Sequence, residues 1–160
     1  MPYTYTDNHP LRDAFVANLL GRLADLIVAQ GEELLQDADL NFPSRAVSSV
    51  LLIGERGKIS AADIAEALNL PHQLVTQRID LLIDLKIVKR VGDPNDGRRK
   101  ILTLTARGAQ QFERLKTLLA SADRAFKVLF NEIECDLHAV AARAMDALTR
   151  HPILDRVRAA

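Results

Sequence analysis

Arg98, Arg99 and Lys100 stand in a row directly after Asp93-Pro94-Asn95-Asp96-Gly97, in a chain whose 21 Lys and Arg are balanced by 21 Asp and Glu. Such a tip is turn-forming and cationic at once. Cations on a protruding turn pair with phosphates, and arginine in particular is drawn into the narrow, electronegative minor groove of A·T-rich DNA. Upstream, His72, Gln73, Thr76 and Gln77 recur at helical spacing in PHQLVTQRIDLLIDLK. Glutamine can pair with an adenine edge, threonine can meet a base or the thymine methyl, and histidine can reach a phosphate. Val75, Ile79 and Leu82 make the apolar stripe of the same stretch, so the polar set faces away from the core. Asp80 also lies off that stripe. It would repel phosphate, and reads as a structural neighbour rather than a contact.

The charge distribution supports a polyanion partner. Residues 86–100 hold six Lys and Arg against two Asp, a net of +4, while residues 1–42 carry a net of −5. Local charge decides such binding more than the total does. Arg98 or Arg99 is expected to enter a minor groove, and Lys89, Arg90 and Lys100 to clamp phosphates. The bland alternative is a solvated basic turn, the ordinary meaning of a charge run. The helix pair just before it favours the nucleic-acid reading.

The elements that must position these residues follow from periodicity. Phe15, Leu19, Leu23 and Leu26 predict a long helix over 10–36. Ser44, after Pro43, is a candidate N-cap for a second helix ending near Gly54–Gly57. Ser60 with Asp63 marks the start of a third over 60–68, and Pro71 opens a fourth over 71–85. Helices 60–68 and 71–85, joined by a tight turn, have helix-turn-helix proportions. Two β-prone runs follow, 88–92 and 100–104, with Asp96-Gly97 as the hairpin signal between them. From Ala106 the chain is helical again. Phe112, Leu115, Leu119, Ala122, Phe126 and Leu129 make a heptad-like seam, and a last helix is expected over about 134–149. The fold class is therefore mainly α with a small β-hairpin.

With those residues in view, the chain resembles the MarR family of bacterial winged helix-turn-helix regulators from about Leu11 to Thr149. DPNDGRRKILTLTARG is similar to the family's wing signature, and ISAADIAEALNL to the first helix of its pair. The resemblance implies a homodimer held by N- and C-terminal helices. It implies a pseudo-palindromic operator, and release of the DNA by a small, often phenolic or otherwise aromatic effector. By position it assigns Gln73, Thr76 and Gln77 to bases and Arg98 and Arg99 to the wing. Asp96 matches the acid that holds a wing arginine in place, with Gly97 beside it. Gln77 stands where the family often has arginine, and Arg78 where it is often apolar. Lys86 stands where glycine often ends the recognition helix, so it requires a different helix end or a left-handed backbone.

The 160 residues are read as one domain, with 10–36 and 106–150 as dimerisation helices and 44–105 as the DNA-binding lobe. The seam from Phe112 to Leu129 serves as core, as interface, or as both. No Gly-rich phosphate loop, HExxH or G-x-S-x-G occurs, so neither an enzyme nor a cofactor is expected. Cys135 cannot form an internal disulfide; it reads as inert, with redox sensing the lesser alternative, and no metal site is expected. Neither a signal peptide nor an apolar run of membrane length is read, and the single cysteine fits a reducing cytoplasm. His9, His151 and the arm carrying Tyr3 and Tyr5 are expected to be loose. The expected function is a DNA-binding transcription regulator, with a protein-binding winged-helix module as the alternative.

Overall fold

A computed structural model describes residues 4–92 and 100–159. A 3-10 turn (Arg12–Phe15) leads into α1 (Val16–Asp37), and a second (Ser44–Ala46) leads into α2 (Val47–Arg56). Then come α3 (Ala61–Ala67), α4 (His72–Asp84), β1 (Val88–Gly92), β2 (Lys100–Leu104), α5 (Ala106–Glu132), α6 (Leu137–Arg150) and α7 (Ile153–Ala159). The chain divides into two compact units, one ending at Leu118 and the other starting at Leu119.

The core of the first unit is assembled from the apolar stripe of each helix. Val50 and Ile53 of α2, Ile64 of α3, Val75, Ile79 and Leu82 of α4, and Leu115 of α5 are at most 1% exposed. Each contributes about 1.5–3 kcal/mol by leaving water. Gly54, inside α2, is what lets Phe112 pack: a Cβ there would lie 2.4 Å from the Phe112 ring. α3 begins with a reciprocal cap, the Asp63 amide donating to Ser60 Oγ and the Ser60 amide to Asp63 Oδ2.

β1 and β2 pair antiparallel from Val88↔Leu104 to Gly92↔Lys100, the strand limits expected from the sequence. A third piece was not legible there. Ile59 bridges Leu102: its amide donates to the Leu102 carbonyl, and its carbonyl accepts the Leu102 amide at 2.8 Å. The base of the hairpin is thus tied to the segment between α2 and α3.

Four helix ends share one motif. At Asp39, Asn69, Lys86 and Glu134 the backbone is left-handed, with φ between 49 and 58°. In each case the next amide reaches back five residues, as Ile87 N–H does to Leu82 O at 2.9 Å. This closure satisfies carbonyls that a helix end leaves open. Lys86 therefore takes the left-handed backbone its position demanded, although a side chain there costs about 1–2 kcal/mol relative to glycine.

Several expectations are corrected. Ser44 is not an N-cap: it lies within the 3-10 turn, and its amide donates to Glu32 Oε1 at 2.8 Å. The last long helix starts at Leu137, where Asp136 Oδ1 accepts the Ala139 amide, not near 134. Beyond Pro152 a further helix, α7, was missed. Its Arg156 donates to the carbonyls of His151 and Ala147, closing the end of α6. The arm is not loose over Thr4–Phe15, where Asp7 is paired with Arg22. His9 is half-buried, its ring against Tyr5 and Phe15, and its Nδ1 accepts the Leu11 amide.

Within the second unit, the rings of Phe126 and Phe130 meet at 6.1 Å. α6 buries no residue at all, and leaves Val140, Met145 and Leu148 exposed. The seam on α5 divides accordingly: Phe112 and Leu115 are core, whereas Leu119, Ala122, Phe126 and Leu129 are half-buried.

Candidate nucleic-acid interface

α4 turns its apolar stripe into the core, and this fixes what it shows outward. His72, Gln73, Gln77 and Asp80 are exposed, and Thr76 and Arg78 are half-buried. Thr76 Oγ1 donates to the His72 carbonyl at 3.0 Å, so its one proton is used within the helix. Toward any partner the Thr76 oxygen is left as an acceptor. Gln73 and Gln77 are one turn apart and share a face.

Lys89 and Arg90 on β1 and Lys100 on β2 are exposed, and Gly92 pairs with Lys100 at the far end of the ladder. Arg98, Arg99, Asp96 and Gly97 fall in residues 93–99, outside the described residues. Arg90 does not stand alone. Its Nη2 donates to Asp80 Oδ1 at 2.5 Å, which joins the strand to α4.

The hairpin is fastened at its other end by Leu104-Thr105-Ala106-Arg107-Gly108. The Thr105 amide donates to the Ile87 carbonyl, and its hydroxyl to the Lys86 carbonyl at 2.6 Å. The same Oγ1 accepts the Gly108 amide and so caps α5. Gly108 is needed because α5 starts hard against the residue before β1: a Cβ there would lie 2.0 Å from the Ile87 oxygen. Sequence reasoning matched this Thr and Gly to a signature without giving their physical task.

A second surface lies along α1. Val16, Leu19 and Leu20 are more than half exposed, and Leu23, Leu26 and Ile27 about one-third. With Thr6, Asp7 and Phe15 several of them line an open groove of about 730 Å³. By length and composition alone Arg12–Asp37 is apolar enough to cross a bilayer. Arg22, Asp25, Glu32 and Glu33 interrupt it, however.

Arg22 holds the arm on this surface. Its guanidinium lies 2.5 Å from Asp7, and with the Thr4 amide it lowers the Asp7 carboxyl from 3.8 to about 2. A carboxyl depressed by folding stabilises its contact above its unfolded pKa and loses that contribution as pH falls through its folded one. The arm is therefore expected to stay docked through pH 3.8 and to release near pH 2. The only aromatic fluorophores, Tyr3 and Tyr5, are both in the arm. Tyrosine emission should accordingly change near pH 2, and in Arg22→Ala the change should move up toward pH 4. Coincident profiles for the two proteins would show that the ion pair does not hold the arm.

Cys135 is half-buried and lies at the junction of α5 and α6, its amide bonded to the Phe130 carbonyl. Among the described residues no three His, Cys, Asp or Glu gather as a metal site.

Residues 43–99 match the sequence profile of the MarR family. No curated protein matches the chain. Among solved structures, that of S. aureus MepR in complex with DNA superposes with a TM-score of 0.67 at 18% identity, covering 93% of this chain and 99% of that one. A cysteine-to-serine mutant of E. coli MarR with operator DNA gives a TM-score of 0.60 at 20% identity, over 90% and 100% of the two chains. A double mutant of Lactococcus lactis ZitR gives 0.56 at 20%, over 84% and 96%. At these identities the likeness is one of fold: mainly helical, with a winged helix-turn-helix.

Proposed function

We propose that this chain, whose residues 43–99 match the sequence profile of the MarR family, is a sequence-specific DNA-binding transcription regulator, acting in the cytoplasm as a homodimeric repressor on a pseudo-palindromic operator. The observation that carries the reading is the outward polar face of α4, joined through Asp80 to Arg90 of a hairpin that also exposes Lys89 and Lys100, in and next to the segment that matches that family. A major groove admits one helix of this width. Gln73 and Gln77 read bases, Thr76 accepts from a base amino group, and His72, Lys89 and Lys100 contact phosphates. Arg98 and Arg99 enter the flanking minor groove, with Asp96 and Gly97 shaping the tip. Two of the structural neighbours are complexes with DNA, which agrees with this use of the fold.

A homodimer is supported by the uncovered apolar stripes of α1 and, separately, of α6 and α7. A two-fold dimer reads two half-sites about one helical turn apart. A small aromatic effector would release the operator only by binding the DNA-incompetent spacing of the two recognition helices more tightly.

The test is selection of duplexes from a random library by the purified protein. Enrichment of an inverted repeat with half-sites roughly 10 bp apart is expected. Arg98→Ala should then weaken binding to the selected duplex and flatten its salt dependence by about one unit of slope. A library that emerges without any enriched repeat would defeat the reading of a sequence-specific regulator.

A further inference from the structure

The Asp80–Arg90 pair lies where a regulator of this kind has little reason to keep a carboxylate. Asp80 is three residues after Gln77 and seven after Gln73, so it continues the outward stripe of α4. Arg90 comes to it from β1, opposite Leu102 in the ladder. They meet through one oxygen and one nitrogen at 2.5 Å, and their side chains are 53% and 48% exposed. A pair this exposed adds little to the stability of a fold. The contact is also single-pronged, so most of the five N–H donors of the guanidinium remain directed elsewhere.

We propose that Asp80 is an internal competitor of phosphate for Arg90, which keeps the surface from gripping DNA of arbitrary sequence. The inference rests on the DNA-binding reading of α4 above. Non-specific affinity comes from cations that displace condensed counterions along the duplex. Arg90 arrives already neutralised, so the pair brings no net charge to the phosphates. To contact one, Arg90 must share or surrender Asp80. Where Gln73 and Gln77 find their bases, the close fit makes that exchange worthwhile. On other sequences the helix sits further out and the carboxylate keeps the arginine. Asp80 thus narrows binding to the operator by weakening everything else, a penalty built against wrong partners.

The experiment uses full-length wild type, Asp80→Asn, Arg90→Gln and the double variant. Each is titrated by fluorescence anisotropy against a scrambled duplex and against one selected by the wild-type protein, over a series of salt concentrations. For Asp80→Asn the salt slope on scrambled DNA should steepen by about 0.9, the value for one added phosphate contact. Its affinity for scrambled DNA should rise several-fold, more than its affinity for the selected duplex, so that the ratio between them falls. The double variant should return to the wild-type slope. An unchanged slope in Asp80→Asn, or weaker binding to both DNAs, overturns the proposal while leaving the DNA-binding reading intact. A wild-type protein that binds neither duplex in a salt-dependent way overturns both.

Discussion

Gly108→Ala is expected to lower the unfolding free energy by about 3 kcal/mol, and the Tm by about 6–12 °C. The added methyl would lie 2.0 Å from the Ile87 carbonyl oxygen, and that oxygen has nowhere to go. Ile87 is fully buried, its amide is committed to Leu82, and its carbonyl accepts from Thr105. A flexible side chain would swing aside, whereas here the backbone of β1 or the first turn of α5 must move. Gly21→Ala is the control. Nothing lies within 4 Å of a Cβ built at Gly21, which sits in the middle of α1. That substitution should stabilise by up to about 1 kcal/mol through helix propensity alone. Urea unfolding followed by far-UV circular dichroism measures both. If Gly108→Ala melts like the wild type, the close approach of α5 to Ile87 is not part of the fold in solution.

In the proposed homodimer, Leu19→Asp together with Leu23→Asp should separate the subunits and cost about a hundredfold or more in affinity for the duplex the wild type selects. Leu19 is 53% and Leu23 37% exposed in the single chain, so each variant chain should keep its own core. In a dimer the same positions would be covered, and two buried carboxylates per subunit would be expensive. Splitting the dimer turns one two-site encounter into two separate ones, and that linkage is commonly worth a factor of 10²–10⁴. Light scattering should report half the wild-type mass, and anisotropy on the selected duplex should report the loss. A variant that remains dimeric would move the interface away from α1.

The lobe was legible in the sequence because its signals are local. Ser60 and Asp63 are three residues apart and cap one helix. The strands at 88–92 and 100–104 show the change from helical to alternating period. Lys86, standing where the resembled family often has glycine, left a different helix end or a left-handed backbone open, and it takes the second. The outward direction of His72, Gln73 and Gln77 followed from where Val75, Ile79 and Leu82 had to go. The features that stayed hidden join residues far apart in the chain. No periodicity pairs Arg90 with Asp80 or Ile59 with Leu102, because both depend on how α4 and the hairpin pack. The arm was misread for the same reason: Asp7 is held by Arg22, fifteen residues on, and a terminal segment offers no pattern to announce that. α7 was missed because seven residues carry too little periodicity to stand out beyond Pro152.

Thr105 makes the end of α4 and the start of α5 a single joint. One residue holds the carbonyls of Lys86 and Ile87 and caps the next helix. Because one hydroxyl serves both elements, the end of α4 and the start of α5 cannot loosen independently, and whatever frees one uncaps the other.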